Sequence, residues 1–203
     1  MGAEPILALV GERVALGPAR PDDLQPRWFN DFATARSNMA APEPVGEAGL
    51  AQIADDRRSA RTVAFTIYLL HTLRALPDLR PIGGAGLHDL DLRNRQAEFY
   101  ITISEPSERG RGYGTEATRL VLDHAFTGLG LHAVWLRVAA FNVAGIRAYQ
   151  RAGFRQTARL RDAYRMGGRF WDVILMDCLA AEFAVLREPS GPAAEISTAD
   201  PPR

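Results

Sequence analysis

The stretch "SERGRGYGTEA", residues 107–117, places three glycines and two arginines directly before a predicted helix. Glycines at this density are typical of a backbone that turns sharply or lies against a ligand. The N–H groups and the dipole at a helix N-terminus bind anions such as phosphate, and Arg109 and Arg111 add positive charge. The alternative is a glycine-rich turn with solvated arginines. Taken alone, the stretch therefore predicts an anion site and does not identify the anion.

Two common phosphate-binding motifs do not fit this stretch. A Walker loop requires a lysine, whereas all 24 basic residues of the chain are arginines. The dinucleotide fingerprint requires the spacing G-x-G-x-x-G, which Gly110, Gly112 and Gly114 do not have. The lack of lysine also excludes a lysine general base or Schiff base.

The composition is that of one globular domain. The chain has 203 residues, of which 47% are hydrophobic, and its formal net charge is zero. These values favour neither nucleic acid nor a membrane as a partner, and they leave a homodimer open. The N-terminus lacks the features of a signal peptide and no apolar run has the length of a membrane span, so we expect a cytoplasmic protein.

Cys178 is the only cysteine of the chain and lies on a predicted apolar strand. One cysteine cannot form a disulfide within the chain, nor a Cys-x-x-Cys metal pair, and no metal site is predicted. We expect Cys178 to pack in the core.

The elements around the glycine stretch predict an α/β fold. In "AEFYITIS", residues 97–104, alternation puts Ala97, Phe99, Ile101 and Ile103 on one face and Glu98, Tyr100 and Thr102 on the other. The other predicted elements, in chain order, are a strand in "RVALG", helices from Asp22 and within 44–60, strands at 62–70 and within 80–92, a helix at 114–128, a strand at 133–140, a helix from Asn142 to Gly153, and a hairpin at Gly167-Gly168. They predict one mixed, mostly antiparallel sheet with a central parallel pair and flanking helices.

The predicted domain boundaries follow from where these elements begin and end. Residues 1–11 form a lead-in, 12–182 form the domain, and 183–203 form a flexible tail, because "REPSGPAAEISTADPPR" has little to bury.

Two segments carry a resemblance to a known family. Arg109-x-x-Gly112-x-Gly114 resembles the Q/R-x-x-G-x-G/A signature of the GCN5-related N-acetyltransferases (GNAT), and "FNVAGIRAYQRAGF", residues 141–154, resembles the family's second segment. "RNRQAEFYITI" and "YRMGGRFWDVILM" look like the branch that includes ribosomal-protein N-terminal acetyltransferases and spermidine acetyltransferases. The resemblance covers about residues 12–180 and implies a single GNAT-type domain whose central strands splay apart.

The resemblance implies direct transfer of an acetyl group from acetyl-CoA to a primary amine, without an acyl-enzyme. Tyr149 matches the family's tyrosine that protonates the departing thiolate, and a tyrosine packed on the sheet is the alternative. The implied acetyl-CoA contacts comprise backbone of the strand, the glycine loop and the second helix: Ile101, Thr102, Ile103, Arg109, Gly110, Arg111, Gly112, Tyr113, Gly114, Thr115, Asn142 and Tyr149. Asn142 is also the predicted helix N-cap. A binding module or sensor without turnover is the alternative function.

Two residues are candidates for the base that deprotonates the amine. Glu98, beside the implied cofactor arm, is the first candidate and acts directly or through water, but it also fits an ordinary cross-strand polar residue. His88 is the second candidate, and a structural histidine is its alternative.

The acceptor pocket matches no motif. Trp28, Phe29 and Tyr100 are candidate lining residues, with core packing as the alternative. Asp89, Asp91 and Asp172 would suit a cationic acceptor or belong to hairpins. The insert "HTLRALPDLRP", residues 71–81, departs from the compact family pattern. A protein N-terminus, a polyamine and an amino-sugar antibiotic all remain open as acceptors.

Overall fold

A computed structural model describes residues 6–23, 25–39, 43–57, 59–70 and 79–187. The described residues form eight strands: β1 Leu9–Val10, β2 Val14–Pro18, β3 Val63–Leu69, β4 Arg80–Asp91, β5 Gln96–Ile103, β6 Ala133–Ala139, β7 Arg155–Met166 and β8 Arg169–Leu179. The same residues form six α-helices: α1 Pro26–Phe29, α2 Phe32–Ser37, α3 Glu47–Asp56, α4 Tyr113–Asp123, α5 Val143–Ala152 and α6 Ala180–Arg187. Short 3₁₀ turns lie at Pro21–Asp23 and Pro106–Glu108.

All eight strands form one sheet in the order β1-β2-β3-β4-β5-β6-β8-β7. Every neighbouring pair is antiparallel except β5 and β6, which are parallel. The parallel pairing extends only from Gln96↔Ala133 to Glu98↔Trp135. Beyond that point β5 stays with β4 and β6 stays with β8, so an opening forms between them. The predicted mixed sheet with a central splayed parallel pair is confirmed.

The alternation predicted for β5 is confirmed and gives the two faces of the sheet different roles. Ala97 and Phe99 lie in the hydrophobic core together with Ala117 and Val121 of α4. The opposite face turns toward the short N-terminal helices, where Asn38, next to α2, donates a hydrogen bond to the Thr102 hydroxyl at 2.6 Å. The opening therefore connects a packed helical face with a polar face.

Two predicted helical regions have different bounds in the structure. The helix from Asp22 is predicted with an interruption at Pro26, and Pro26 begins α1. A second interruption follows, where the Asp31 carboxylate accepts the Ala33 N–H and begins α2. The helix predicted over 114–128 ends as an α-helix at Asp123 and continues as one π-helical turn.

Secondary structure continues on both sides of residues 12–182, the predicted domain, whose boundaries stay a prediction. In the lead-in, β1 pairs with β2 and so belongs to the sheet. At the C-terminus, 183–187 continue α6, because Phe183 is buried against Phe126 at 5.4 Å between ring centroids. The predicted tail from 188 onward, residues 1–5, and 71–78 of the insert lie outside the described residues.

Candidate active site

The glycine stretch forms the turn into α4. Gly110 and Gly112 have φ of +74° and +87°, a left-handed conformation that other residues adopt at a cost. Gly112 is the N-cap of α4, so the N–H groups of Tyr113, Gly114 and Thr115 form the first turn, where no intrahelical partner is available. This arrangement has the geometry of the anion site that the sequence predicts.

Arg13, directly before β2, holds this turn in place, a role that sequence reasoning missed. Its Nε lies 2.9 Å from Glu116 Oε2, and its Nη1 donates to the Arg111 carbonyl at 2.9 Å. Its guanidinium also lies over the Tyr113 ring, 5.4 Å from the centroid. The bridge joins residues 103 positions apart. No local pattern in the sequence signals such a pair.

The two loop arginines differ in what they contact. Arg109 donates to the carbonyls of Ile103 and Ser104, at 2.8 and 3.2 Å, and to the Thr34 hydroxyl. It thereby ties the end of β5 to α2. The Arg111 side chain is 59% exposed and lies 3.6 Å from Glu108. Contact of Arg109 with the pyrophosphate stays a prediction, and Arg111 presents the more accessible charge.

Backbone groups of β5 point alternately toward β4 and toward the opening. The Ser104 N–H donates to Ile82 on β4 at 2.8 Å. Because backbone groups alternate in direction along a strand, Thr102, which pairs with Gly84, also faces β4, while Ile101 and Ile103 face the opening. The Thr102 backbone therefore faces β4, and a contact between Thr102 and acetyl-CoA stays a prediction. Since Arg109 occupies the Ile103 carbonyl, Ile101 has the most accessible backbone.

Tyr149 projects from α5 toward the opening. Its ring packs edge-to-face against Phe99 of β5 at 6.2 Å and against Phe154 at 6.0 Å, and it lines the cleft. Burial raises the pKa of Tyr149 to about 12. The phenol therefore holds its proton through the neutral range, as a proton donor must.

Asn142 is the N-cap of α5, as predicted. Its Oδ1 accepts the Gly145 N–H at 2.9 Å. Its Nδ2 donates to the Ser37 carbonyl at 3.2 Å, which links α5 to α2. A contact between Asn142 and the acyl donor stays a prediction.

Glu98 lies where β5 and β6 part. Its side chain is buried, and its two carboxylate oxygens accept from Arg137 Nε at 2.8 Å and Nη2 at 3.2 Å. Hydrogen bonding to Glu98 raises the pKa of Arg137. Arg137 belongs to β6, two residues beyond Trp135, the last partner in the parallel register. The ion pair therefore bridges the two strands at the closed end of the opening.

His88 of β4 lies directly opposite Glu98 in the register and lines the cleft. Its Nε2 is 3.9 Å from Glu98 Oε2, and its Nδ1 is 3.1 Å from Asp89 Oδ2. Asp89 has φ of +52°, and the register of β4 shifts between His88 and Asp91. The structure thus brings both predicted base candidates together on the polar face.

A cleft of about 870 Å³ runs from the opening toward the N-terminal helices. Trp28, Phe29 and Tyr100 line it, and their contact with an acceptor stays a prediction. Trp28 also donates its indole N–H to Glu105 at 2.7 Å, a contact that the sequence did not indicate. Tyr164 lines the same cleft, and its hydroxyl is buried with no hydrogen-bond partner among the described residues.

The aspartates proposed for a cationic acceptor have other contacts. Asp91 accepts from the side chain and backbone of Asn94, which lowers the pKa of Asp91. Hydrogen bonds from the Asp162 backbone and from Arg159 lower the pKa of Asp172. Both fit the hairpin alternative, and Asp89 contacts His88.

Cys178 is fully buried in the core, as predicted. Burial raises the pKa of the Cys178 thiol to about 12, so it is a poor source of thiolate. Across the part of the chain that the structure describes, no helix has the length and apolar character to span a bilayer.

Comparisons with known proteins identify the family. Residues 13–155 match the model of the acetyltransferase (GNAT) domain. The chain is 32% identical over 102 residues to the spermidine N(1)-acetyltransferase of Vibrio cholerae serotype O1. The matched region covers 50% of this chain and 58% of that protein. It is also 32% identical over 101 residues to the putative ribosomal N-acetyltransferase YdaF of Bacillus subtilis, which covers 50% and 55%. The chain thus spans little more than half the length of these relatives.

Among solved structures, the fold is similar to that of spermidine N-acetyltransferase from Vibrio cholerae in complex with CoA and spermine. The TM-score is 0.75, the identity is 23%, and the match covers 85% of this chain and 98% of that chain. At this identity the likeness bears on the fold, which agrees with the splayed sheet described above. The predicted fold and branch are confirmed, and the chain belongs to the GNAT acetyltransferase family.

Proposed function

We propose that the protein is an acetyl-CoA-dependent N-acetyltransferase that transfers an acetyl group directly to a primary amine. The observation that carries the proposal is the opening between β5 and β6, which has the N-terminus of α4 at one side and Tyr149 beside it. A thioester whose pyrophosphate lies on the loop at 110–115 would extend along the free edge at Ile101 toward Tyr149.

The chemistry follows from that placement. The amine nitrogen attacks the thioester carbonyl carbon, the new C–N bond forms, and the C–S bond breaks. Tyr149 gives its proton to the departing sulfur, and the proton lost by the amine passes to a base on the polar face. Cys178 takes no part, because it is buried in the core away from this face.

The acceptor is proposed as a class, the primary amines. Relatives named for spermidine and for ribosomal proteins support a polyamine or a protein N-terminus. Side chains of both signs line the cleft, Asp23 and Glu43 with Arg57 and Arg137, so charge does not restrict it to polycations. We propose that the protein acts in the cytoplasm, because the reducing conditions there keep a single cysteine unpaired.

The test is acetyl-CoA turnover over a panel of spermidine, short peptides with a free N-terminus, and an aminoglycoside. Release of CoA is followed with a thiol reagent, to which the buried Cys178 contributes little background. Wild type is expected to acetylate at least one amine. Tyr149→Phe, which keeps the ring against Phe99, is expected to lower kcat about 100-fold while CoA binding is unchanged.

The contrary result is equally clear. Tight CoA binding by the wild-type protein, with no turnover of any amine on the panel, would identify a non-catalytic acyl-CoA-binding module or sensor. Full activity of Tyr149→Phe would remove Tyr149 from the mechanism.

A further inference from the structure

We propose that His88, held by Asp89, is the base that accepts the proton of the acceptor amine, and that Glu98 instead ties β5 to β6 through Arg137. The inference deepens the proposed function and rests on it. It assigns different roles to two residues that the sequence leaves as alternatives.

The contacts of Glu98 argue against a role as base. Both oxygens accept from the Arg137 guanidinium, in a two-point ion pair that is among the stronger hydrogen-bonding arrangements in proteins. Protonation of Glu98 during each turnover would break that pair in a buried site. The pair also lies at the last residue of the parallel register, where separation of the strands begins. Its position suits a connection between strands better than proton transfer.

The local backbone around His88 has the form of a built site. Asp89 is not a glycine, yet it has φ of +52°, and the irregularity in β4 begins at His88. Left-handed conformations at non-glycine residues and bulges next to a cleft both cost energy and both redirect side chains. Here the result is that the Asp89 carboxylate lies 3.1 Å from His88 Nδ1. This contact favours the tautomer that carries its proton on Nδ1, which leaves Nε2 as the acceptor.

The surroundings of His88 suit an imidazole that gains a proton transiently. Asp89 faces it from β4, Glu98 from β5 and Arg137 from β6, with the Tyr100 ring at 5.8 Å and Arg57 lining the same cleft. One ring nitrogen of His88 and one carboxylate oxygen each of Asp89 and Glu98 lie within 4.8 Å of one another.

A route for the proton follows from these contacts. As the amine nitrogen bonds to the carbonyl carbon, its proton moves to Nε2, and the nearby carboxylates stabilise the imidazolium. The side chain is 34% exposed, so the proton then passes to water.

The experiment compares matched variants of the whole chain in the turnover assay, with CoA binding measured separately as a shift in melting temperature. His88→Gln is expected to lower kcat/KM about 100-fold and to leave CoA binding unchanged, because the glutamine amide cannot accept the proton of the amine. Imidazole added to His88→Ala is expected to restore part of the rate. His132→Gln, the same change at an exposed histidine that directly precedes β6 and does not line the cleft, is expected to leave the rate unchanged.

The other two variants separate the roles. Asp89→Asn is expected to lower kcat about tenfold with KM for the amine unchanged, and Asp89→Glu to restore part of that loss, as a positioning residue should. Glu98→Gln is expected to lower the melting temperature but to keep most of the rate. The proposal is overturned if His88→Gln keeps the wild-type rate while a folded Glu98→Gln loses it. A wild-type protein that binds CoA and acetylates no amine would instead overturn the proposed function, and this inference with it.

Discussion

The two sides of the opening between β5 and β6 are built in different ways. The donor side, which is the proposed acetyl-CoA site at residues 110–115, consists mainly of backbone groups. Gly110 and Gly112 turn the chain, and consecutive N–H groups at the N-terminus of α4 point outward. On the acceptor side, side chains from distant parts of the chain meet, such as Trp28 with Glu105 and Glu98 with Arg137. A site built from backbone comes from neighbouring residues and therefore appears in the sequence as a short motif. A site built from side chains of distant residues has no such motif. Changes on the donor side should therefore affect every acceptor equally, and changes on the acceptor side should not affect CoA.

The largest effect is expected for Gly112→Val. A valine would have to adopt φ of +87°, and its Cβ would lie 3.2 Å from the Arg13 guanidinium. We expect CoA affinity to fall at least about 100-fold and stability to fall by about 2 kcal/mol. Isothermal titration with CoA and thermal melting measure the two effects.

Gly110→Ala is the matched control, because an added Cβ there meets no atom within 4 Å and only the conformation, φ of +74°, is unfavourable. We expect a loss of about 1 kcal/mol in stability and a smaller loss of affinity. Unchanged CoA binding by Gly112→Val would contradict the donor-side account.

A smaller and more selective effect is expected for Trp28→Phe. The change removes the indole N–H that Glu105 accepts at 2.7 Å, and it reshapes the cleft wall. We expect KM for the amine to rise about tenfold and stability to drop by about 1–3 kcal/mol, with the CoA dissociation constant unchanged. Steady-state kinetics with each substrate varied in turn would show it. An equal change in both constants would mean that the two sides are not independent.

The pH dependence of kcat tests the role of Tyr149 as the proton donor. Because burial raises the pKa of Tyr149 to about 12, its protonated form persists as pH rises and is lost only when pH approaches that value. We therefore expect the rate to reach a plateau above neutral pH and not to decline up to about pH 10. A pH–rate profile for kcat provides the test. A decline near pH 8 to 9 would point to another proton donor.

The smallest effect on activity is expected for Cys178→Ala. The side chain is fully buried in the core, so the loss of the sulfur should lower stability by about 1–2 kcal/mol. Turnover should match wild type when assayed well below the melting temperature. Loss of activity in a folded Cys178→Ala protein would argue for an acyl-enzyme and against direct transfer.

The sequence predicts well those features of the fold and the site that depend on residues close together in the chain. The alternation along β5, the Asn142 cap and the loop before α4 each depend on neighbouring residues, and the structure has all three. The parallel pairing of β5 and β6 was predictable because a helix connects the strands.

What the sequence did not predict depends on distant partners. Arg13 and Glu116 are 103 positions apart, and the Glu98–Arg137 pair is 39 apart. Neither pair creates a periodic pattern. The sequence therefore does not distinguish Arg13 or Arg137 from an arginine whose side chain lies in solvent. The irregularity at His88 is similar, because nothing in "LHDLD" requires Asp89 to adopt a left-handed conformation.

The central claim is that the free edge of β5 and the first turn of α4 together hold the acyl donor. Amide hydrogen exchange, followed by NMR with and without CoA, tests it residue by residue. The account predicts about tenfold or greater slowing at the amides of Ile101, Gly114 and Thr115, and no change at Thr102, which already faces β4. Protection of Thr102 without Ile101, or protection confined to another part of the chain, would contradict it.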